Sequence, residues 1–318
     1  MLAGSAVLLN RPILPSNQSP LGALPARFRR LRVLIVGCGD VGQRAARQLL
    51  PRVRVLALSR DASPEGLGRL RAQGIAPLAG DLDAAASLRR LAGIATHLIH
   101  LAPPPAEGEG DARTQALLRA LARRTAPLAL VYGSTSGVYG DCGGALIDET
   151  RALNPQTARA RRRVAAEQQV RAFGRAAGVR AGILRIPGIY APDRPGGTPR
   201  ERLLRGTPVL AAADDVYSNH IHADDLARAV VAALWRGRPQ RVLHASDASE
   251  LKMGAYSDLA ADLYGLPRPP RLPRAQAGDA LSPLQLSFMS ESRRLRNGRL
   301  KRELRLALRH PTPATGLL

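Results

Sequence analysis

The chain has 318 residues, 45% of them hydrophobic, with 47 Lys and Arg against 25 Asp and Glu and a formal net charge of +22. That length can bury a large core in one or two domains. No run approaches the roughly 18 apolar residues of a membrane helix, and two cysteines, Cys38 and Cys142, make neither a disulfide framework nor a zinc site, so no metal and a reducing cytoplasm are expected. All the positive residues except Lys252 and Lys301 are arginines in an Ala-, Leu-, Gly- and Pro-rich chain, and aromatic residues are only 3%. Without helix-turn-helix or finger spacing, that charge reads as coding bias rather than as a nucleic-acid surface.

Residues 1–30 lack any acidic residue and are expected to form an arm outside the fold. At Arg32–Val36 an apolar, β-branched run enters Gly37-x-Gly39-x-x-Gly42 and then a helical pattern over 41–50 that ends at Pro51. Gly37 suits a tight turn, Gly39 a close approach of backbone to a pyrophosphate, and Gly42 close helix–strand packing. A dinucleotide site is expected, with Asp40 and Val41 inside its turn, where the helix N-terminus meets the phosphates.

Strand patterns recur at 53–58, 75–78, 97–101, 128–132, 179–186 and 241–245, and helical patterns at 64–73, 84–91, 111–124 and 155–177. Short continuous apolar strands alternating with helices predict a doubly wound parallel α/β (Rossmann) sheet. Beyond that the pattern loosens, with Pro- and Gly-rich loops and helices expected at 224–236, 254–264 and 291–308. The expected division is a dinucleotide-binding domain over 31–190 and a smaller substrate cap over most of 191–318, its strand near 241–245 returning to the main sheet. Arginines at 194, 200, 202 and 205 suggest an acidic substrate.

After the second strand comes Ser59-Arg60-Asp61. Arg60 with the Ser59 hydroxyl suits the NADP 2′-phosphate, while Asp61 keeps NAD as the alternative. Gly80-Asp81-Leu82 follows the third strand, where Asp81 either receives the adenine amine or caps the helix expected at residue 84. His220 and His222, with Asp224 and Asp225 beyond them, are read as loop-positioning residues rather than metal ligands, and Asp224 as the cap of the next helix.

Taken in order, these segments resemble the extended short-chain dehydrogenase/reductase superfamily, which includes NAD-dependent epimerases and dehydratases, over roughly residues 32–310. The matching pieces are the glycine turn, Gly80-Asp81, Leu101-Ala102-Pro103, Gly133-Ser-Thr135-Ser-Gly-Val-Tyr139-Gly140, Arg185-Ile-Pro187-Gly188-Ile-Tyr190 and Ile221-His222-Ala-Asp224-Asp225-Leu226. The resemblance implies that Leu101, Ala102, Pro103 and Pro187 border the cofactor, that Thr135 bonds the substrate oxygen, and that the protein forms a homodimer. It also exposes a departure. Aligning Pro155 and Glu167 puts Arg159 and Arg163 where that family has its catalytic tyrosine and lysine. Four apart, they share one helix face and can both aim at the nicotinamide ribose; the other reading is a solvated arginine face. A guanidinium exchanges no proton near neutrality, so Arg159 is expected to hold an oxyanion or a substrate carboxylate and Arg163 to reach ribose hydroxyls, with Tyr139 either a packing residue or a candidate proton donor. The implied function is an NAD(P)-dependent oxidoreductase or epimerase/dehydratase-like protein acting on a small anionic or sugar-type substrate. The alternative is a non-catalytic NADP-binding sensor or scaffold.

Overall fold

The computed structural model describes residues 31–318, and the arm expected over 1–30 lies outside the described residues. The first half runs β1 (Arg32–Val36), α1 (Asp40–Leu49), β2 (Arg54–Ser59), α2 (Pro64–Ala72), β3 (Ala76–Ala79), β4 (His97–His100), α3 (Ala112–Leu121), β5 (Ala129–Thr135), β6 (Leu146–Ile147) and α4 (Ala158–Ala176). The second runs β7 (Arg180–Ile186), β8 (Gly188–Tyr190), α5 (Arg200–Leu204), β9 (Val209–Leu210), β10 (His220–His222), α6 (Ala223–Arg236) and β11 (Arg241–His244). It ends with α7 (Met253–Tyr264), β12 (Arg271–Leu272), α8 (Ala277–Ala280), α9 (Pro283–Met289), β13 (Arg294–Leu295) and α10 (Gly298–Glu303). Seven strands form one parallel sheet in the order β3-β2-β1-β4-β5-β7-β11, the doubly wound α/β architecture that the alternation predicts.

The pleat explains why β1 is apolar from Val33 to Val36. Val33 and Ile35 pack toward α1, α2 and α6, whereas Leu34 and Val36 pack toward α3 and α4. Both faces are covered, so Val33–Val36 are all buried, and each such side chain contributes about 1.5–3 kcal/mol by leaving water. Three short parallel pairs, β8 with β10, β9 with β12 and β6 with β13, build the cap beyond the carboxyl ends of the main strands.

Three local expectations are corrected. The 84–91 segment is a 3₁₀ helix over Ala85–Leu91 rather than an α-helix. Asp224 does not cap α6. His222 does, its Nδ1 accepting the Asp224 N–H at 3.2 Å, which leaves the Asp224 carboxylate for Arg44. The helix expected over 291–308 shrinks to α10, and its first turns are extended instead. There Arg294 and Arg296 N–H groups donate to the carbonyls of Ala145, just before β6, and Ile147, on it, and Leu295 is buried beside Val138, Tyr139 and Ile147. Pairing satisfies that backbone and hides the one apolar side chain of an arginine-rich run that offers no amphipathic face.

Burial also sets a pH dependence. It pushes the imidazoles of His97 and His244 down to about 4 and those of His100 and His220 to about 3, from 6.5. The unfolded chain therefore binds more protons than the folded one between those values, and stability is lost as pH falls through 6.5 toward 4. Burial also lowers His222, and it raises Asp247 to about 7 and lifts Glu149 and Asp215; those three carboxyls have the opposite slope but are outnumbered by the five histidines. We expect a clearly lower urea midpoint at pH 5 than at pH 7; an equal or higher midpoint at pH 5 would contradict this balance.

Candidate functional site

The site lies at the carboxyl ends of the sheet strands, where the strand order reverses between β1 and β4. Gly37 has φ +87°, and a Cβ there would lie 2.4 Å from the Ala102 nitrogen; one on Gly42 would lie 2.8 Å from the Gly37 oxygen. A Cβ on Gly39 would meet nothing within 4 Å. The first two glycines are thus demanded by the protein's own packing, while the third borders a hollow. Leu101 and Ala102 N–H groups both donate to the Val36 carbonyl, at 2.7 and 3.1 Å, and fold the 101–103 loop against the turn. No side chain caps α1 at Gly39, so its first N–H groups are available to an anion. Val41 lies in that first turn and packs on the core.

Asp40 brings a negative charge to the same helix end, and the fold neutralises it. Its carboxylate accepts Arg44 Nε and Arg194 Nη1, both at 2.8 Å. Arg44 is only 6% exposed and also donates to Asp193 and Asp224 at 2.6 Å each, which ties the loop after β8 and the start of α6 to α1.

At the end of β2, the Asp61 carboxylate accepts the Ser63 hydroxyl at 2.6 Å, the Ser63 N–H at 3.1 Å and Arg69 at 2.9 Å. The Ser63 hydrogen bonds hold it below the usual carboxylate range. The Ser59 hydroxyl donates to the Asp61 carbonyl at 2.8 Å, and exposed Arg60 has no ion pair among the described residues. Asp81 braces its own turn: its carboxylate accepts the Asp83 N–H at 3.0 Å and its carbonyl the Ala84 N–H at 3.1 Å. Leu82 packs on the core beside it.

Beyond the strand ends, between sheet and cap, is a cavity of about 500 Å³. Thr135, Arg159, Arg163 and Pro187 all line it. Thr135 closes β5 and caps the next turn, its Oγ1 accepting the Gly137 N–H at 3.3 Å. Arg159, Arg163 and Glu167 are spaced by four on α4 and share one face. Glu167 is buried at its far end, Arg163 donates to the Gly133 carbonyl at 2.7 Å and the Tyr132 hydroxyl at 3.0 Å, and Arg159 reaches the cavity. The Arg159 guanidinium lies 5.1 Å from the centre of the Phe288 ring and makes no ion pair or hydrogen bond among the described residues.

Tyr139 does not join them. Its hydroxyl accepts Arg185 Nη1 at 2.6 Å and meets His244 Nε2 at 2.5 Å, in a buried chain that continues from Arg185 to Glu167 and from His244 to the Arg296 carbonyl. Burial pushes the phenol up to about 12. The expectation that Tyr139 approaches the substrate therefore conflicts with its position, and its role here is to hold β5, β7 and β11 together.

The cap contributes lining residues that the sequence did not single out: Glu291, Arg293, Tyr256 and Phe288. The His220 ring stacks on Tyr256 at 4.0 Å and its Nδ1 is buried without a partner. Glu291 and Arg293 pair at 2.7 Å. Their only sequence signal is a lone acid beside paired arginines, which a solvated helix would also show. Separately, ligand atoms of His222, Asp224 and His310 lie within 4.8 Å of one another. Each residue is already held by the protein, His222 by the Asp224 N–H, Asp224 by Arg44 and His310 by the Thr315 carbonyl. Among the described residues, no helix is long and apolar enough to cross a membrane.

With this geometry in place, comparison with known proteins is informative. The family model for the NAD dependent epimerase/dehydratase family matches residues 33–245. No curated protein matches significantly. A functionally unknown conserved protein from Silicibacter pomeroyi is 32% identical, with a TM-score of 0.74 over 90% of this chain and 96% of that one. A UDP-glucose 4-epimerase from Thermotoga maritima, solved with UDP-glucose, is 17% identical with a TM-score of 0.72 over the same shares. A double mutant of a dTDP-glucose 4,6-dehydratase from Streptomyces venezuelae, solved with NAD, is 22% identical with a TM-score of 0.69, again over 90% and 96%. At those identities the last two establish the fold alone.

The glycine geometry gives a sharp contrast in stability. Gly37→Ala forces a side chain into positive φ and into backbone, and should cost more than about 2 kcal/mol. Gly39→Ala should change stability by less than about 1 kcal/mol. Urea denaturation of the two variants checks this, and equal losses would mean that the hollow over Gly39 is not open.

Proposed function

The chain belongs to the NAD-dependent epimerase/dehydratase family, and we propose that it binds a nicotinamide dinucleotide over Gly37–Gly42 and transforms a small anionic or sugar-type substrate in the adjoining cavity. The observation that carries this reading is the contrast among the three glycines: two have their Cβ positions filled by the protein, and the third faces an empty cradle on uncapped helix N–H groups. When bound there, the dinucleotide supplies a hydride acceptor or donor.

The division of labour follows the two halves. Residues 31–190 hold the cofactor, Leu101, Ala102 and Pro103 against the turn and Pro187 beside the cavity, while most of 191–318 caps the substrate. NADP is the preferred form, because Asp61 is engaged at the start of α2 and leaves Arg60 for a 2′-phosphate, toward which the Ser59 hydroxyl turns from the Asp61 carbonyl. Asp81 and Leu82 border the adenine. Arg163 keeps guanidinium N–H groups beyond its two bonds for ribose hydroxyls. Thr135 donates its hydroxyl to the substrate oxygen, and Arg159, a cation with no protein partner, holds developing negative charge or a substrate carboxylate. Arg202, likewise without an ion pair among the described residues, adds positive charge at the cap side for a phosphate-bearing substrate such as a sugar nucleotide.

Calorimetric titration is the test. NADP should bind at least about tenfold more tightly than NAD, a difference of about 1.4 kcal/mol. Arg60→Ala should erase that preference, and Gly39→Ala should weaken both ligands. Binding of neither dinucleotide would sink the reading. With nucleotide sugars and keto compounds as substrates, Thr135→Ala should lower kcat by about 10²-fold. Tight NADP binding with no turnover of any compound would instead favour the sensor.

A further inference from the structure

We propose that Glu291 is the proton-transfer residue of this site, filling the role that Arg159 and Arg163 cannot. The inference rests on the reading above that the cavity is catalytic. Among the described residues that line the cavity, Glu291 is the only carboxylate. A methyl group on Gly137 would lie 3.7 Å from Thr135 Oγ1 and 3.9 Å from Glu291 Oε2, and all three residues line the cavity. A substrate oxygen bonded by Thr135 there lies on the side of the Glu291 carboxylate, whose nearer oxygen is Oε2.

The carboxylate is held in place by the segment that carries it. The Ser292 N–H donates to Asp141 at 2.7 Å, and its carbonyl accepts Cys142 and Gly144 N–H groups at 3.0 and 2.9 Å. Its hydroxyl accepts the Tyr217 N–H at 3.0 Å, and Asn219 Nδ2 donates to the Arg293 carbonyl at 2.9 Å. Arg293 Nη1 then bridges the Gly140 carbonyl at 2.8 Å and Glu291 Oε2 at 2.7 Å. Glu291 and Arg293 are each only 11% exposed. One carboxylate oxygen is thus fixed by a cation, and Oε1 has no hydrogen-bond partner among the described residues.

The other titratable groups of the cavity fit the role less well. His220 is stacked on Tyr256, and burial pushes it down to about 3. The Tyr190 hydroxyl donates to the Thr312 carbonyl, and burial pushes both Tyr190 and Tyr256 upward. Tyr217 has Lys252 and Arg294 against its ring faces and remains the rival to exclude. In the oxidation direction the substrate is an alcohol. The O–H bond breaks and its proton passes to the Glu291 carboxylate. The C–H bond on the same carbon breaks, its electron pair leaving as hydride to an oxidised nicotinamide dinucleotide, and C=O forms. Reduction runs the same transfers in reverse.

The test uses the full chain, with whichever nucleotide sugar or keto compound the wild type turns over. Glu291→Gln should lower kcat by about 10²–10⁴-fold, while NADP and substrate dissociation constants from calorimetry stay within about threefold. Glu291→Asp should retain part of the rate, and added formate should restore part of it to Glu291→Ala. A kcat within about threefold of wild type in Glu291→Gln overturns the proposal, as does loss of the rate only in Tyr217→Phe. Equal loss of substrate binding and rate would make Glu291 a binding residue and also overturn it. Should Glu291→Gln melt early, Glu291→Asp and formate rescue still decide. No turnover by the wild type removes the catalytic reading itself, and this proposal with it.

Discussion

The buried ion pair between Glu167 and Arg185 fixes the geometry on which the candidate site depends. Both side chains are almost wholly withdrawn from water, which costs several kcal/mol per charge unless every polar group finds a partner. Here the partners are present. Glu167 accepts two guanidinium N–H groups and the Ser134 hydroxyl, and Arg185 continues to Tyr139, which meets His244. That chain joins α4, β5, β7 and β11 at the carboxyl edge of the sheet. Because Glu167 sits two turns beyond Arg159 on one face of α4, pinning it sets the rotation of the helix and points Arg163 and Arg159 toward the cavity. Tyr139, four residues after Thr135, anchors the turn that presents the threonine.

A second constraint acts at the glycine turn. An uncapped helix end attracts anions, and Asp40 would oppose one if its charge were free. Arg44 and Arg194 neutralise it, and through Asp193 and Asp224 the same cluster fastens the loop after β8 and α6 to α1. The cavity is therefore assembled from two halves that share a salt-bridged seam.

The seven main strands were legible because buried parallel strands leave continuous apolar runs, as in Val33–Val36, and the glycine turn because its backbone demands leave no alternative residue. Tyr139 stayed ambiguous because a tyrosine beside a motif looks the same whether its hydroxyl faces a cavity or a buried arginine; only the position of Arg185 and His244 decides. The 291–308 segment was misread as helix because its leucines recur at helical spacing, whereas pairing with β6, nearly 150 residues earlier in the chain, wins through Leu295 and two backbone hydrogen bonds. That error also hid Glu291, which reaches the cavity only because the segment is extended. Arg159 and Arg163 were legible as departures, and their placement on the cavity face gives the departure its chemical meaning.

The central claim is that a nicotinamide dinucleotide lies across the glycine turn with its reactive ring beside Thr135. A crystal structure of the chain grown with NADP tests it most directly. The account predicts the pyrophosphate on the N-terminus of α1 above Gly39, the 2′-phosphate against Ser59 and Arg60, and the nicotinamide facing the cavity between Thr135 and Arg163. A dinucleotide bound elsewhere, or a cleft left empty at saturating NADP, would contradict it.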